Sequence, residues 1–312
     1  DIHNKFQDLE WQQRNRLVQA TSPTNTERPS QWARVTGEEV LKRNRYMNVD
    51  PFLNNRIMLK VPEGHDPYIN ASPITLTSTK TGQPRNFIAT QGPKETTHAH
   101  IWRMLWHECA SPATIIMLTQ THESGREKCY PYFPRSLASP TLVVNATDEF
   151  SDAETLTITL LNITEDAESR STVRELEVVN SRCEGERRTV WHLLFEAWPD
   201  FGVPEEEDHR ALLRLIPLSR ENNSTTNDDG NPKPNPRIIH CSAGVGRSGT
   251  FIALDHLLLE LEEGSLDTVP EGRDPVAETV ERLREQRMMM VQGEAQFGLL
   301  YDTLRERWGE RW

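Results

Sequence analysis

With 312 residues, 36% apolar and 26% charged, the chain has the make-up of a soluble globular protein, long enough for one large domain or two small ones. A net charge of -12 argues against a nucleic-acid binder, which presents a basic face, yet leaves room for one small basic pocket. The absence of any run of 18 apolar residues predicts no membrane span, the polar opening DIHNKFQDLEWQQRNRL lacks a signal-peptide core, and the first residue, Asp1, suits a fragment of a longer protein.

The predicted elements run as follows. Phe6, Leu9, Trp11 and Leu17 among charges predict a helix over residues 1–19. SQWARVTGEEVLKRNRY predicts short helices ending at the turn NVDPFLNN. RIMLKV, YINASPITL and NFIATQGP predict strands, HAHIWRMLWHECA a helix, and TIIMLTQ a buried strand. TLTITLLNIT, RELEVVN and TVWHLLFEAW predict further strands, several alternating as antiparallel strands do. DHRALLRLIPLSR reads as helix, and 221–236 (ENNSTTNDDGNPKPNP) as an exposed loop insertion. RIIH is a short strand, followed by helices near Thr250–Glu262, Pro275–Gln286 and Ala295–Trp308. No internal repeat or linker separates two cores. The expected architecture is one α+β domain over 1–312, a twisted mixed sheet flanked by helices, with an N-terminal helical segment over 1–40.

Cys109, Cys129, Cys183 and Cys241 have neither disulfide-framework nor zinc-site spacing, so reduced thiols in the cytoplasm, or the nucleus, are expected. The sequons at Asn145 and Asn162 are discounted without a signal peptide.

The chemistry concentrates in HCSAGVGRSGT. A strand delivers the chain to Cys241, and Gly244, Gly246 and Gly249 permit backbone angles that other residues resist. A helix starts near Arg247. The backbone N–H groups from Ser242 through Ala243, Gly244, Val245 and Gly246 to Arg247 can then point at one spot, an anion cradle at a helix N-terminus. Arg247 adds a fork for two phosphate oxygens. The same positive field lowers a thiol pKa, which would make Cys241 a nucleophile beneath a bound phosphoryl group, with the Ser248 hydroxyl near the sulfur. The bland reading is a buried small hydrophobe before a tight turn. A nucleotide P-loop requires Lys before the final Ser or Thr, and here Gly249 precedes Thr250.

Attack on a phosphate ester leaves an oxyanion that requires a proton. WPDFGVP offers Asp200 as the acid, with Trp198 and Phe201 bulky enough to anchor a moving lid. MVQGEAQ offers Gln292 and Gln296, whose amides can hold a hydrolytic water. Tyr46 in NRYMNV can stack on a phenyl ring, and Asn48 can bond a substrate backbone. In HESGREKC, Glu123 can pair with Arg247 and Lys128 with Asp200, although a solvated charge run is the ordinary meaning of such a stretch.

Taken together, these segments resemble the catalytic domain of the tyrosine-specific protein tyrosine phosphatases. HCSAGVGRSGTF resembles that family's phosphate-binding loop, WPDFGVP its mobile acid loop, NRYMNV its phosphotyrosine-recognition loop, MVQGEAQ its glutamine loop and HESGREKC its Glu-containing loop. YINAS and FIATQGP stand in the expected order, and the match spans about residues 1–308. The resemblance implies Cys241 as nucleophile, Arg247 as phosphate clamp, Asp200 as general acid, Ser248 as the aid to phosphoenzyme breakdown and Gln292 as the positioner of water, with Gln296 nearby. It implies substrate contacts at Tyr46, Asn48, Val49 and the loop 242–246, with Glu123, Lys128, His240 and Trp198 in support. Asn48 stands where many members have Asp, Ala197 where Thr is usual and Gly293 where Thr is common. The implied activity is hydrolysis of phosphotyrosine in proteins, phosphorylated kinases among them, through a phosphocysteine, by a monomer that needs no metal or cofactor. A phosphotyrosine-binding module with little turnover and a dual-specificity phosphatase are the alternatives.

Overall fold

The computed structural model describes residues 1–21, 29–200, 202–224 and 235–311. In chain order the elements are α1 (Ile2–Thr21), α2 (Glu38–Arg43), β1 (Ala71–Thr77), β2 (Pro84–Thr90), a 3₁₀ turn (Glu95–Thr97), α3 (His98–Glu108), β3 (Ala113–Met117) and the short β4 (His122–Glu123) and β5 (Arg126–Glu127). There follow β6 (Thr141–Val144), β7 (Leu156–Asp166), β8 (Ser171–Asn180), β9 (Arg187–Leu194), α4 (Glu206–Asn222), β10 (Arg237–His240), α5 (Gly246–Glu262), α6 (Pro275–Gln286) and α7 (Glu294–Arg311).

Eight strands form one mixed sheet in the order β1-β2-β10-β3-β9-β8-β7-β6. β10 runs parallel to β2 and β3, and β3 parallel to β9; the outer pairs are antiparallel. The continuous apolar runs explain the centre. β3 and β10 are buried at every position, as parallel strands covered on both faces must be. Alternate residues then serve two cores. Ile116, Leu193 and Ile239 join the cluster under α4, α5, α6 and α7, whereas Ile115, Leu194 and Ile238 join the one under α3, with Trp102 and Leu105. Helix α5 is apolar nearly all round and buried nearly all round, so it lies inside the helical layer rather than on it. This burial fixes the loop between β10 and α5 at the carboxyl edge of the sheet, where ligands of open parallel sheets bind.

Some expectations need correction. RIMLKV forms no strand: only Met58 bridges to Tyr68. Its partner stretch contains Pro67, whose carbonyl accepts from Leu59 but which has no N–H to return, so the ladder stops. SQWARVTGEEVLKRNRY holds one helix, α2; its first half makes a turn at Gln31 and Trp32 and then bridges Arg34 to Phe52. Helix α5 begins at Gly246, one turn before Thr250, and α7 runs from Glu294 to Arg311, beyond the expected ends. The short β6 had no expectation attached to it. Of the insertion, 225–234 lie outside the described residues, as does Phe201. Among the described residues, no helix is long and apolar enough to cross a membrane.

A buried ion triad ties the layers together. The Asp255 carboxylate of α5, fully buried, accepts from Arg220 Nε of α4 (2.8 Å) and Arg237 Nη2 of β10 (2.9 Å). Burial pushes its carboxyl pKa up, but Arg237 and Arg220 outweigh that and hold it below the ordinary range. Its stabilisation is therefore present above the unfolded carboxyl pKa and lost as pH falls toward the lower folded value. Asp255→Ala strands two guanidiniums, and we expect a loss of about 3–5 kcal/mol in denaturant unfolding. An unchanged midpoint would remove the triad from the account of stability.

Candidate active site

β10 ends at His240, and the next five residues turn the chain into α5. Gly244 sits at φ +73°, and a Cβ there would meet the Thr90 carbonyl oxygen at 2.1 Å, so no other residue fits. A Cβ on Gly249 would come within 2.5 Å of Val291 N, which lets the first turn of α5 press directly on the segment carrying Gln292.

Cys241 is 3% exposed. The Gly244 N–H points at its sulfur, 3.3 Å away. Burial alone would raise the thiol pKa. The positive charge of Arg247, then the Ser248 hydroxyl and N–H and the Gly244 N–H, outweigh it, and the net shift is downward. The Ser248 hydroxyl is buried without a hydrogen-bond partner among the described residues, close enough to the thiol to help lower its pKa. Cys109 and Cys129 show the contrast: burial dominates there and pushes both thiols up, Cys109 to about 12.

Arg247 is 2% exposed and held by four contacts. Nη1 donates to Glu123 Oε1 (2.6 Å) and to the Trp198 carbonyl (3.1 Å); Nη2 donates to Glu123 Oε2 (3.3 Å) and Asp200 Oδ1 (3.3 Å). The expected pairing of Glu123 with Arg247 is present, and Lys128 also forms its ion pair with Asp200. The short hairpin of β4 and β5 thus delivers both charges to the site. Trp198 is fully buried and donates from Nε1 to the Gly202 carbonyl (3.1 Å), pinning the loop that presents Asp200.

The cavity above the sulfur measures about 140 Å³. Tyr46, Asn48, Val49, Lys128, Asp200, Cys241, Ser242, Ala243, Gly246, Arg247, Gln292 and Gln296 line it. Gly244, Val245, Ser248, Glu123, His240 and Trp198 are not in that wall and act on it from behind. The Ser242 hydroxyl donates to the Lys128 carbonyl (2.9 Å), so Tyr46 OH must be the donor in its 2.8 Å bond to Ser242 Oγ. Asn70 donates to the Val49 carbonyl (2.7 Å) and Arg45 Nε to the Gly92 carbonyl (3.0 Å), which holds the Tyr46 loop against the end of β2.

Behind Cys241, His240 Nδ1 lies 3.0 Å from the Cys241 carbonyl. A carbonyl only accepts, so Nδ1 carries the proton and Nε2 accepts from Tyr132 OH at 2.7 Å. Burial drives the ring down to about 4, and it is neutral at physiological pH.

Two functional residues escaped sequence reasoning. Arg287, fully buried, donates to the Gly244 carbonyl (2.9 Å) and the Ala243 carbonyl (3.1 Å). It turns those carbonyls away from the pocket and leaves the N–H groups facing in. The available signal was an Arg directly before the apolar run MMMV. Tyr132 orients His240 and carried no local signal at all.

With this geometry in place, likeness to known proteins acquires chemical meaning. The protein-tyrosine phosphatase family model matches residues 40–306. Tyrosine-protein phosphatase 1 of Saccharomyces cerevisiae is 34% identical over 96% of this chain and 92% of its own length. Receptor-type tyrosine-protein phosphatase C of Mus musculus is 34% identical over 85% of this chain, and human phosphatidylinositol phosphatase PTPRQ 35% identical over 96%, but the matches span only 18% and 11% of those two proteins. The solved catalytic domain of human protein tyrosine phosphatase non-receptor type 18 superposes with a TM-score of 0.73 at 26% identity, covering 98% of this chain and 95% of that one. PTPN18 in complex with HER2-pY1248 phosphopeptides gives 0.75 at 26% identity, over 98% and 99%. A cysteine loop, an aspartate loop and a glutamine loop converge here on one anion pocket, in a chain whose sequence matches the family model over most of its length: this chain belongs to the protein-tyrosine phosphatase family.

Proposed function

We propose that this member hydrolyses phosphotyrosine in proteins in two steps through a phosphocysteine. In the first, the Cys241 thiolate attacks phosphorus, the P–O bond to the phenol breaks, and Asp200 delivers its proton to the departing oxygen. The N–H groups of 242–247 and the Arg247 fork hold the three phosphoryl oxygens as charge builds on them. In the second, Gln292 and Gln296 orient a water, Asp200 takes its proton, the P–S bond breaks, and the thiolate departs toward the Ser248 hydroxyl. The observation that carries this reading is a buried thiol of lowered pKa at the floor of a cavity whose wall contains a carboxylate, a guanidinium and the amides of Asn48, Gln292 and Gln296.

Tyr46 on the cavity wall favours an aromatic phosphate ester. PTPN18 has been seen with HER2 phosphopeptides; here too a phosphotyrosyl segment is the proposed substrate, and four free cysteines support the reading of an enzyme that works in the cytoplasm or nucleus. Comparing release of phosphate from phosphotyrosyl peptides, phosphothreonyl peptides and a phosphatidylinositol phosphate tests this. Phosphotyrosine should lead both by orders of magnitude. Equal rates on phosphothreonine point to a dual-specificity enzyme, and binding without release to a recognition module.

Asn48 lines the rim as a neutral group. A carboxylate acceptor bonds a peptide N–H more strongly than an amide does. Asn48→Asp should therefore lower KM for a phosphotyrosyl peptide about fivefold, the equivalent of about 1 kcal/mol, with kcat unchanged. A KM that rises would take Asn48 out of substrate contact.

A further inference from the structure

A second cavity of about 420 Å³ lies away from the phosphate loop. Its walls are the C-terminal half of α5, the chain between α5 and α6, the start of α6 and the turn joining β1 to β2. None of the residues assigned above to catalysis or substrate contact lines it.

Its carboxylates are already satisfied. Glu260 is paired with Arg85 (3.1 Å) and accepts from Thr79 N (3.1 Å), and Glu278 is paired with Arg273. Its donors are satisfied only in part. Arg282 and Lys80 have no ion pair among the described residues, Lys80 spends one of its three N–H groups on the Glu263 carbonyl, and the Ser265 hydroxyl is buried without a partner. His256 is 3% exposed, and its Nδ1 faces Arg85 Nη1 at 2.8 Å. Arginine only donates, so Nδ1 accepts and the proton of the neutral ring sits on Nε2. Burial and the charge of Arg85 keep that ring neutral, at about 4. The Nε2–H has no hydrogen-bond partner among the described residues. Two cations without an ion pair and two donors without a partner therefore share one cavity, whose lining combines Thr79, Thr268 and Thr279 with apolar Leu257, Leu266, Val269 and Pro270. Size and lining match those of small-molecule sites, which combine an apolar floor with a few convergent polar groups.

We propose that this cavity binds a small amphiphilic anion, an aromatic or acyl body bearing one carboxylate, sulfonate or phosphate. The anionic head sits against Arg282, Lys80 and His256 Nε2–H, and the apolar body on Leu257 and Leu266. The site is separate from the phosphate loop, so a ligand here binds an enzyme whose active site is already full.

The probe is anilinonaphthalene sulfonate, which fluoresces on entering an apolar pocket, titrated into the full chain with orthovanadate saturating the phosphate loop. One probe should bind per chain. Arg282→Glu and Lys80→Glu should each weaken it about tenfold, as loss and reversal of a charge-assisted contact predict. Trp11→Ser, at an exposed aromatic elsewhere, should leave it unchanged. Unchanged p-nitrophenyl phosphate turnover, measured without vanadate, certifies the fold of each variant. Naphthoate should displace the probe, and neutral acetylnaphthalene should not. Absence of binding, binding that survives both charge reversals, or equal displacement by the neutral compound overturns the proposal.

Discussion

Cys241→Ser should abolish turnover of p-nitrophenyl phosphate, by about 10⁵-fold or more, the scale seen when a covalent nucleophile is removed from an intact site. The electrostatics explain why so small a change does so much. Arg247, the Ser248 hydroxyl and N–H, and the Gly244 N–H together overcome the burial that would otherwise keep the thiol protonated. The same field acts on a serine hydroxyl whose proton is held far more tightly, and it falls well short of ionising it. The anion cradle survives the substitution, because Arg247 keeps its Glu123 clamp and Arg287 keeps the Gly244 carbonyl turned away. Removing a negative sulfur from beneath a phosphate dianion also removes a repulsion. The variant should thus bind a phosphotyrosyl peptide as tightly as the native chain or more so, measurable by calorimetry. Retained turnover would refute the nucleophile assignment. On the proposed mechanism the lowered thiol pKa should set the acid limb of the pH profile: kcat/KM should rise with pH as the thiolate forms, at lower pH than an ordinary thiol would permit.

The parts of this site that were legible in the sequence are those whose chemistry is local. The cysteine loop announces itself because strand, glycines, thiol and helix start are consecutive in the chain. Helix α6 was read to its ends because Asp274 caps it, accepting from Val276 N and Ala277 N, and Pro275 opens its first turn. The apolar runs of β3 and β10 marked buried strands, but no residue in either specifies that they are neighbours; that order emerges from packing both faces at once. RIMLKV misled because its own pattern is strand-like while the deciding residue, Pro67, lies across the ladder. Arg287 and Tyr132 were missed for the same reason. Each acts through a contact more than 40 residues away in the chain, Arg287 on Gly244 and Tyr132 on His240, and no spacing rule reaches that far. The charge pairs of Glu123 and Lys128 stood only as options in a stretch whose ordinary meaning is a solvated charge run; the fold brings them against Arg247 and Asp200.

Asp200→Ala should cut the rate on phosphotyrosine by about 10²–10⁴-fold, the range for loss of a positioned general acid. A structural role for Asp200 and a proton-donating one make different demands on the leaving group. Phenolate from tyrosine is strongly basic and needs its proton at bond cleavage, whereas p-nitrophenolate is a far better leaving group. The defect should accordingly be much larger on the phosphotyrosyl peptide than on p-nitrophenyl phosphate. Without ligand, Asp200 contacts both Lys128 and Arg247 Nη2. An incoming phosphate dianion should take over the Arg247 fork and free Asp200 to turn toward the leaving oxygen. Deleting the carboxylate leaves both cations free for the phosphate, so KM should fall or hold while kcat collapses. That split makes Asp200→Ala the variant with which to capture substrates from a lysate. An equal defect on both substrates would make Asp200 a structural partner of Lys128 and Arg247 and leave the proton to come from elsewhere.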